Sequence, residues 1–183
     1  MRTAVLTALA TVSLAACGQN ASGTNDSAAR NASVNTVEAP NAPQPAAAPP
    51  ATKEAALEIM HERHEGMEQI GKSTKTIRRA LDSSSPDIAE IRKASAKIAD
   101  LSVKSANWFP QGTGPDVGKT GAKPEIWQSR EDFLAKDRDF AAAAKAFNAV
   151  AAGGNIDAIK SGFTDLGKTC KACHDKYRSD MHH

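Results

Sequence analysis

Two cysteines and a histidine stand close together near the end of the chain, in the run Cys170-Lys171-Ala172-Cys173-His174. On a helix, residues three and four positions apart lie on the same face, so both thiols and the imidazole would point in one direction. The spacing C-x-x-C-H is typical of c-type haem attachment, in which two thiols bond to the haem vinyl groups. His174 would then lie beneath the iron as its axial ligand. The motif therefore predicts one haem c, covalently bound through Cys170 and Cys173.

Two other kinds of site use cysteines at this spacing. A thioredoxin-like site places its C-x-x-C at a helix N-terminus after a strand, whereas this motif lies late in a predicted helix with no strand before it. A zinc site needs further ligands, and the sequence has no second Cys/His pair at a suitable spacing. We interpret the terminal His182 and His183 as a solvated tail, and we prefer haem attachment.

The motif lies near the end of the chain, whereas in the commoner small c-type cytochromes it lies near the start. Nine residues follow His174, so Met181 is too near to reach the opposite face of the haem. A group on that face must come from upstream, and the first predicted helix is the most suitable source.

Hydrophobic periodicity predicts four amphipathic helices that position these residues. The first covers about residues 53–81, and the stripe of the second begins after Pro86 and continues to Phe109. The third begins at Pro124 after a long glycine-rich loop, and Asn155 can cap the fourth, which carries the C-x-x-C-H motif. Short links make consecutive helices antiparallel neighbours. The sequence therefore predicts an all-α, up-down four-helix bundle.

Composition excludes several classes of protein. The chain carries 23 Lys+Arg against 21 Asp+Glu, and this net charge of +2 does not suit a nucleic-acid binder. No apolar run reaches the ~20 residues of a spanning helix. No side chains resemble a nucleophile–base pair, so we expect no enzyme activity. All aromatic residues lie between Trp108 and Tyr177, so a porphyrin can supply the flat apolar body that faces the aromatic-free first helix.

The N-terminal segment predicts export. Residues 1–16 have the charged and apolar regions of a signal peptide, and their end, the run LAAC at 14–17, resembles the lipobox of bacterial lipoproteins. This resemblance implies cleavage before Cys17 and lipidation of that cysteine, which would anchor the protein in a membrane bordering the bacterial periplasm. Gly18 gives a slight preference for the outer membrane. The alternative is an ordinary signal peptide cleaved near a cysteine.

The segment after Cys17 is predicted to be a disordered tether. It is rich in Ala, Asn, Ser, Pro and Gln, and five of the nine prolines of the chain lie between positions 40 and 50. Such a composition cannot bury enough apolar surface to offset the entropy of ordering. The chain therefore divides into a signal peptide at 1–16, a lipidated cysteine and linker at 17–52, and a folded domain at 53–183.

The motifs of the folded part, taken in order, resemble the class II cytochromes c, which comprise cytochrome c′ and its low-spin relatives. The resemblance covers roughly residues 55–178. It rests on Arg63 and Met67 four positions apart, Trp108-Phe109-Pro110 before the glycine-rich loop, Lys123-Pro124-Glu125-Ile126-Trp127, and Cys170-Lys171-Ala172-Cys173-His174-Asp175-Lys176-Tyr177-Arg178. The last run is the most specific. The resemblance implies a four-helix bundle with haem c, and many members form homodimers through the first two helices.

The same resemblance assigns two arginines to the haem. Arg63 would pair with a haem propionate, and the alternative is a solvated surface arginine. Arg178, one turn after His174, would line the side of the haem on which His174 lies. Its alternative role is to complement the negative C-terminal end of the last helix.

Met67 decides between two functions. In the low-spin relatives a methionine here is the sixth ligand, and a His/Met-ligated haem has a raised potential that suits electron transfer. In typical cytochrome c′ an apolar residue covers this face, and the five-coordinate haem accepts nitric oxide or carbon monoxide. Because this chain has the methionine, we predict a periplasmic single-electron carrier with Met67 as the sixth ligand and with periplasmic redox partner proteins. Gas binding is the alternative. Met60 and His64 share the stripe and are interpreted as core or pocket-lining residues.

Overall fold

The computed structural model describes residues 47–180. They form the helices α1 (Lys53–Asp82), α2 (Ile88–Ser102), α3 (Glu125–Gln128), α4 (Arg130–Gly153) and α5 (Ile156–Tyr177), with a 3₁₀ turn at Ser105–Asn107. The predicted signal peptide, Cys17 and most of the predicted tether lie outside the described residues. Within residues 47–180, every helix is too short or too polar to cross a membrane.

Side-chain caps fix where three of the long helices begin. Thr52 Oγ1 accepts a hydrogen bond at the start of α1, and Asn155 Oδ1 does the same for α5, as predicted. At α2 the capping carboxylate is Asp87, which accepts from the amide of Glu90 at 3.0 Å. The second helix therefore begins just after Pro86, and each cap satisfies an amide that would otherwise lack a partner.

The second helix is shorter than predicted. It ends at Ser102 rather than at Phe109. The hydroxyl of Ser102 donates to the carbonyl of Ala99 at 2.9 Å, and that of Ser105 donates to the carbonyl of Ser102 at 2.8 Å. Such short-range bonds compete with the helical ladder, and the chain turns here, although Phe109 remains buried in the core.

The third predicted helix is divided in two. Ser129, with φ −114° and ψ 50°, separates α3 from α4 because these angles lie outside the helical region. The hydrophobic stripe continues across the break, since Ile126 and Phe133 are both 2% exposed. Periodicity alone therefore did not reveal the interruption.

The four long helices form the predicted up-down bundle, so the fold prediction is confirmed. Helix α1 packs on α2, α2 on α4, and α4 on α5. Ile77, Ile91, Phe147 and Ile159 lie at its centre and are at most 1% exposed. Within residues 47–180, neighbouring helices α1 and α5 have no extensive backbone contact.

The glycine-rich loop is fastened to the end of α5. The amide of Lys123 donates to the carbonyl of Tyr177 at 3.0 Å, and the amide of Ser179 donates to the carbonyl of Gly121 at 2.9 Å. A single antiparallel bridge joins Ala122 to Arg178. These bonds hold the last turn of the helix that carries the C-x-x-C-H motif.

Candidate functional site

Helix α5 presents the predicted attachment residues on one face. Cys170 and Cys173 are free thiols that are half-buried, and both pack against the hydrophobic core. His174 follows on the same face, and Tyr177, one turn later, is 2% exposed. We call these four residues, together with Arg130 of the neighbouring α4, the attachment wall.

The two thiols lie in an environment that keeps them protonated. Burial raises the pKa of Cys170, and burial with the nearby carboxylate of Asp137 raises the pKa of Cys173 to about 11. Catalytic redox cysteines and thiolate metal ligands have lowered pKa values instead. The environment therefore disfavours the thioredoxin-like and zinc alternatives and suits addition of S–H across a vinyl group.

The surroundings of His174 favour its neutral imidazole. Although the residue is exposed, partial desolvation and the charge of Arg178 lower its pKa, while Asp175 opposes them. A neutral imidazole has a free lone pair for iron. The structure thus brings Arg178 within electrostatic reach of His174, and its contact with the haem stays a prediction.

Arg63 lies inside the protein rather than on its surface. The residue is 5% exposed, and its Nη1 donates to the carbonyls of Trp108 and Thr113 at 3.2 Å each. Its Nη2 donates to Thr113 O at 3.1 Å and to Thr120 Oγ1 at 3.0 Å. Burial lowers the pKa of Arg63 to about 10. The solvated alternative is therefore wrong, and pairing with a propionate stays a prediction.

Gly66 allows the indole of Trp108 to lie directly on α1. A Cβ at this position would collide with the six-membered ring of Trp108, whose Nε1 donates to Glu62 Oε1 at 3.2 Å. Met67, beside the glycine, is partly buried and packs against the core. We call Arg63, Gly66, Met67 and Trp108 the α1 wall. No local sequence pattern links Gly66 with Trp108, and the sequence analysis did not find this contact.

The histidines of α1 are exposed, so His64 is not the core residue that its place on the stripe predicted. His61 and His64 have side chains that are 62% and 65% exposed, and they face Glu65 and Glu68 at 3.3 and 3.5 Å. Met60 is buried. Within the α1 wall, Met67 therefore carries the one neutral side-chain atom that could coordinate iron. The described residues include no group of three or more His, Cys, Asp or Glu that could hold a metal ion by itself.

Arg130 was not singled out as a functional residue from the sequence, where it is simply part of the third helical stripe. Its Nη1 and Nη2 are buried and have no hydrogen-bond partner within residues 47–180. Its Cζ lies 5.6 Å from the ring centre of Phe133, and that ring packs edge-on against Tyr177 at 5.3 Å. A free buried guanidinium calls for an anion beside the attachment wall.

The residues present fit a haem. The attachment wall offers two protonated thiols, one neutral imidazole and a guanidinium that lacks an anion. A haem has two vinyl groups, one iron and two propionate carboxylates, so each type of group has a matching partner.

Comparison with known proteins identifies one family by sequence and by structure. Residues 58–178 match the family model described as Cytochrome C′. The chain is 34% identical to the cytochrome c′ of Allochromatium vinosum over 125 residues, which are 67% of this chain and 80% of the relative.

Two solved structures are similar to this chain in fold and in sequence. One, a cytochrome c′ described as having an unusual ligand-controlled dimer dissociation, has a TM-score of 0.64 at 32% identity, with 72% of this chain and 100% of that chain covered. The other is a nitric oxide complex of a leucine-to-isoleucine mutant of cytochrome c prime from Alcaligenes xylosoxidans. It has a TM-score of 0.61 at 27% identity, with 71% of this chain and 98% of that chain covered.

These relatives correct the predicted function. The prediction of a single-electron carrier with Met67 as the sixth ligand is wrong, because the family model and the relatives described above are cytochromes c′ and one of them was solved with nitric oxide. A diatomic ligand needs an iron position that a bound thioether would occupy. The presence of a methionine at this place on α1 was therefore not sufficient evidence of ligation.

The cofactor prediction is confirmed by the same findings. The family model spans most of the helical part of the chain, including the C-x-x-C-H motif on α5. Relatives of the same name align over two thirds of the chain or more. The chain therefore belongs to the cytochrome c′ family, which carries a covalently attached c-type haem.

Proposed function

We propose that this protein binds nitric oxide or carbon monoxide at a five-coordinate haem. The observation that supports this most directly is the similarity to a cytochrome c prime solved as a nitric oxide complex, which covers 71% of this chain and 98% of that chain. The α1 wall agrees with it, since the histidines of α1 point outward and the wall presents one neutral thioether. The haem, when bound, supplies an iron to which a diatomic ligand can coordinate.

Cys170 and Cys173 attach the haem in this proposal. Each thiol adds its sulfur and its hydrogen across one vinyl double bond, so that a thioether forms and no group leaves. Both thiols are half-buried against the core, which protects the bonds and fixes the haem relative to α5. Attachment at i and i+3 directs both bonds to one side of the helix.

His174 serves as the proximal ligand. Its lowered pKa keeps the imidazole neutral at physiological pH. Arg178 contributes to that shift by its charge and is held in place by the bridge to Ala122. The loop and the end of α5 together set the orientation of this ligand.

Met67 covers the opposite face without binding the iron. Its partly buried thioether packs against the core beside Gly66, whose lack of a side chain brings Trp108 onto the helix. This apolar cover excludes water and large ligands and admits a small neutral one. Arg63 holds the wall in position through its bonds to the loop.

The remaining predictions complete the proposal. The protein binds its ligand without enzymatic turnover, and a periplasmic redox partner keeps the iron in the state that accepts the gas. Cys17 anchors it by lipid in a membrane bordering the periplasm, after removal of the signal peptide. A homodimer forms through α1 and α2. Leu57 on α1 and Val103, just after α2, are the exposed large hydrophobic residues within 47–180, and they are 42% and 57% exposed.

Titration of the dithionite-reduced protein with carbon monoxide tests the proposal. We expect saturable binding with a clear optical change in the wild type, and faster association in Met67→Ala because the cover is removed. Met67→Leu, which keeps the bulk and removes the sulfur, is the matched control and should resemble the wild type. Carbon monoxide could bind well to Met67→Ala and poorly to both the wild type and Met67→Leu, which would show that the bulk of the side chain alone controls access. If carbon monoxide binds to both variants but not to the wild type, the Met67 thioether is a ligand and the proposal is wrong.

A further inference from the structure

Arg63, which is buried, and Arg130, which is half-buried, share one aromatic pair. Arg63 Cζ lies 4.9 Å from the ring centre of Phe109, and Arg130 Cζ lies 5.6 Å from that of Phe133. The two rings contact each other edge-on at 4.8 Å. One arginine therefore stands at each end of the same pair of rings.

Their hydrogen-bonding capacity differs. Both Nη atoms of Arg63 already donate to acceptors in the loop, namely Trp108 O, Thr113 O and Thr120 Oγ1. Both Nη atoms of Arg130 are buried, and no acceptor within residues 47–180 takes a bond from them. Arg130 is thus the arginine that is free to bind an anion.

The nearest carboxylate does not fill this role. Asp137 lies about two turns further along α4, and its charge raises the pKa of Arg130. Among the described residues, however, no ion pair joins the two side chains. Its Oδ1 instead accepts from Ser105 Oγ at 2.6 Å. The anion must therefore come from elsewhere.

The position of Arg130 indicates which anion that is. Phe133, beneath the guanidinium, packs edge-on against Tyr177, which lies one turn after His174 on α5. Arg130 therefore lies beside the end of α5 that carries His174, where a propionate is the carboxylate that the cofactor brings.

We propose that Arg130 is an anchoring residue for a haem propionate, with Nη1 and Nη2 donating to its carboxylate in the manner of a charge-assisted arginine–carboxylate pair. This inference rests on haem attachment through Cys170 and Cys173, and it is independent of gas binding. The haem propionates would then have Arg130 on α4 as a partner, in addition to Arg63 on α1, which the resemblance assigns to a propionate.

The test compares haem-loaded Arg130→Gln with Arg138→Gln. Arg138 is an exposed residue of the same helix, so its variant loses the same charge without losing the proposed contact, and solvent screens the effect. Resonance Raman spectra report hydrogen bonding through the propionate bending mode, and potentiometry reports the charge. We expect the band to shift in Arg130→Gln alone. We also expect its redox equilibrium to move towards the ferric form by about tenfold, which is about 59 mV for a one-electron couple.

Arg130→Lys is the control for a folding defect. Because this variant keeps the positive charge, its reduction potential should stay near that of the wild type. Covalent haem content, measured by acid–acetone extraction, should be the same in all variants, which separates this claim from attachment itself. The proposal is overturned if the propionate band of Arg130→Gln matches that of Arg138→Gln, whether or not the potential moves. It is also overturned if Arg130→Lys shifts the potential as far as Arg130→Gln.

Discussion

The α1 wall and the attachment wall each contain an arginine that lies over an aromatic ring, and they differ in how their polar groups are satisfied. In the α1 wall, Arg63 and Trp108 find their hydrogen-bond partners within the protein. In the attachment wall, the thiols and imidazole are only partly covered, and the guanidinium of Arg130 has no acceptor among residues 47–180. The polar groups of the α1 wall therefore find their partners within the protein, whereas those of the attachment wall depend on the cofactor for theirs.

This difference assigns distinct tasks to the two walls. Buried polar groups that are fully satisfied give a site a defined shape, which suits a face that selects ligands by size. Groups with unused bonding capacity suit the face that must hold a large cofactor permanently. The comparison predicts that loss of the two thiols of the attachment wall abolishes covalent haem retention, whereas damage to the α1 wall reduces stability or changes access.

The largest effect is expected from the double variant Cys170→Ser, Cys173→Ser. Both thioether bonds are lost, so acid–acetone should extract all haem from this protein and none from the wild type. Cys17→Ser is the matched control, because it removes the third cysteine of the chain and should keep covalent haem while losing palmitate label. Haem that stays with the denatured double variant would show that attachment occurs elsewhere.

A smaller effect is expected from Arg63→Met, which breaks the α1 wall. The carbonyls of Trp108 and Thr113 lose their donor within the protein interior, and unsatisfied buried acceptors cost about 1–3 kcal/mol each. We expect the free energy of unfolding to fall by about 3 kcal/mol, measured by urea denaturation followed by circular dichroism.

Arg78→Met is the control for this variant, since Arg78 is an exposed residue of the same helix and its loss should change stability by less than about 0.5 kcal/mol. Equal stability of the two variants would mean that packing alone holds the loop against α1.

The two glycines of α1 give a sharper test of the same wall. Gly66→Ala places a methyl group against the Trp108 ring and should destabilise by about 1–3 kcal/mol. Gly71 has nothing within 4 Å of its added Cβ, so Gly71→Ala should stabilise the helix by about 0.5–1 kcal/mol. The midpoints of thermal unfolding should therefore move in opposite directions, and a shift of the same sign would refute the close approach of Trp108.

The smallest effects are expected from two aspartates of α4 that respond to pH in opposite ways. Burial raises the pKa of Asp137, while hydrogen bonds from Tyr177 and Lys176 lower that of Asp132, both from 3.8. Asp137 therefore contributes stability that is present below pH 3.8 and is lost as pH rises through its folded pKa. Asp132 contributes stability that is present above pH 3.8 and is lost as pH falls through its folded pKa.

The corresponding variants should differ in sign at pH 7. Asp137→Asn should be more stable than the wild type there, and Asp132→Asn should be less stable. Both differences should shrink in acid, as measured by urea midpoints from pH 3 to 7. Two variants that are equally destabilised at all pH values would show that hydrogen bonding, not charge, governs these positions.

Local patterns in the sequence were sufficient for much of this architecture. The stripes of α1 and α5 and the spacing of Cys170, Cys173 and His174 depend on residues three and four apart. The structure buries or half-buries the apolar residues of both stripes, while His64 and His174 are exposed. The helix ends at Ser102 and Ser129 were missed, because they depend on local hydroxyl bonds and backbone angles that leave the hydrophobic period unchanged.

Long-range contacts could not be predicted in this way. Arg63 binds a loop that lies 45 to 57 residues further along the chain. From the sequence, only pairing with a haem propionate was predicted for this arginine as a buried contact. The unsatisfied guanidinium of Arg130 emerges only when its whole surroundings are known. Met67 led to a wrong function because ligation depends on the iron–sulfur distance, which the position of a methionine on a helix does not determine.

The central claim is that Met67 covers the iron without binding it, and the ferric electron paramagnetic resonance spectrum of the purified protein tests it most directly. The account predicts a high-spin signal at neutral pH, with Met67→Leu giving a closely similar spectrum. A low-spin signal in the wild type that becomes high-spin in Met67→Leu would show that the thioether is a ligand and would contradict the account.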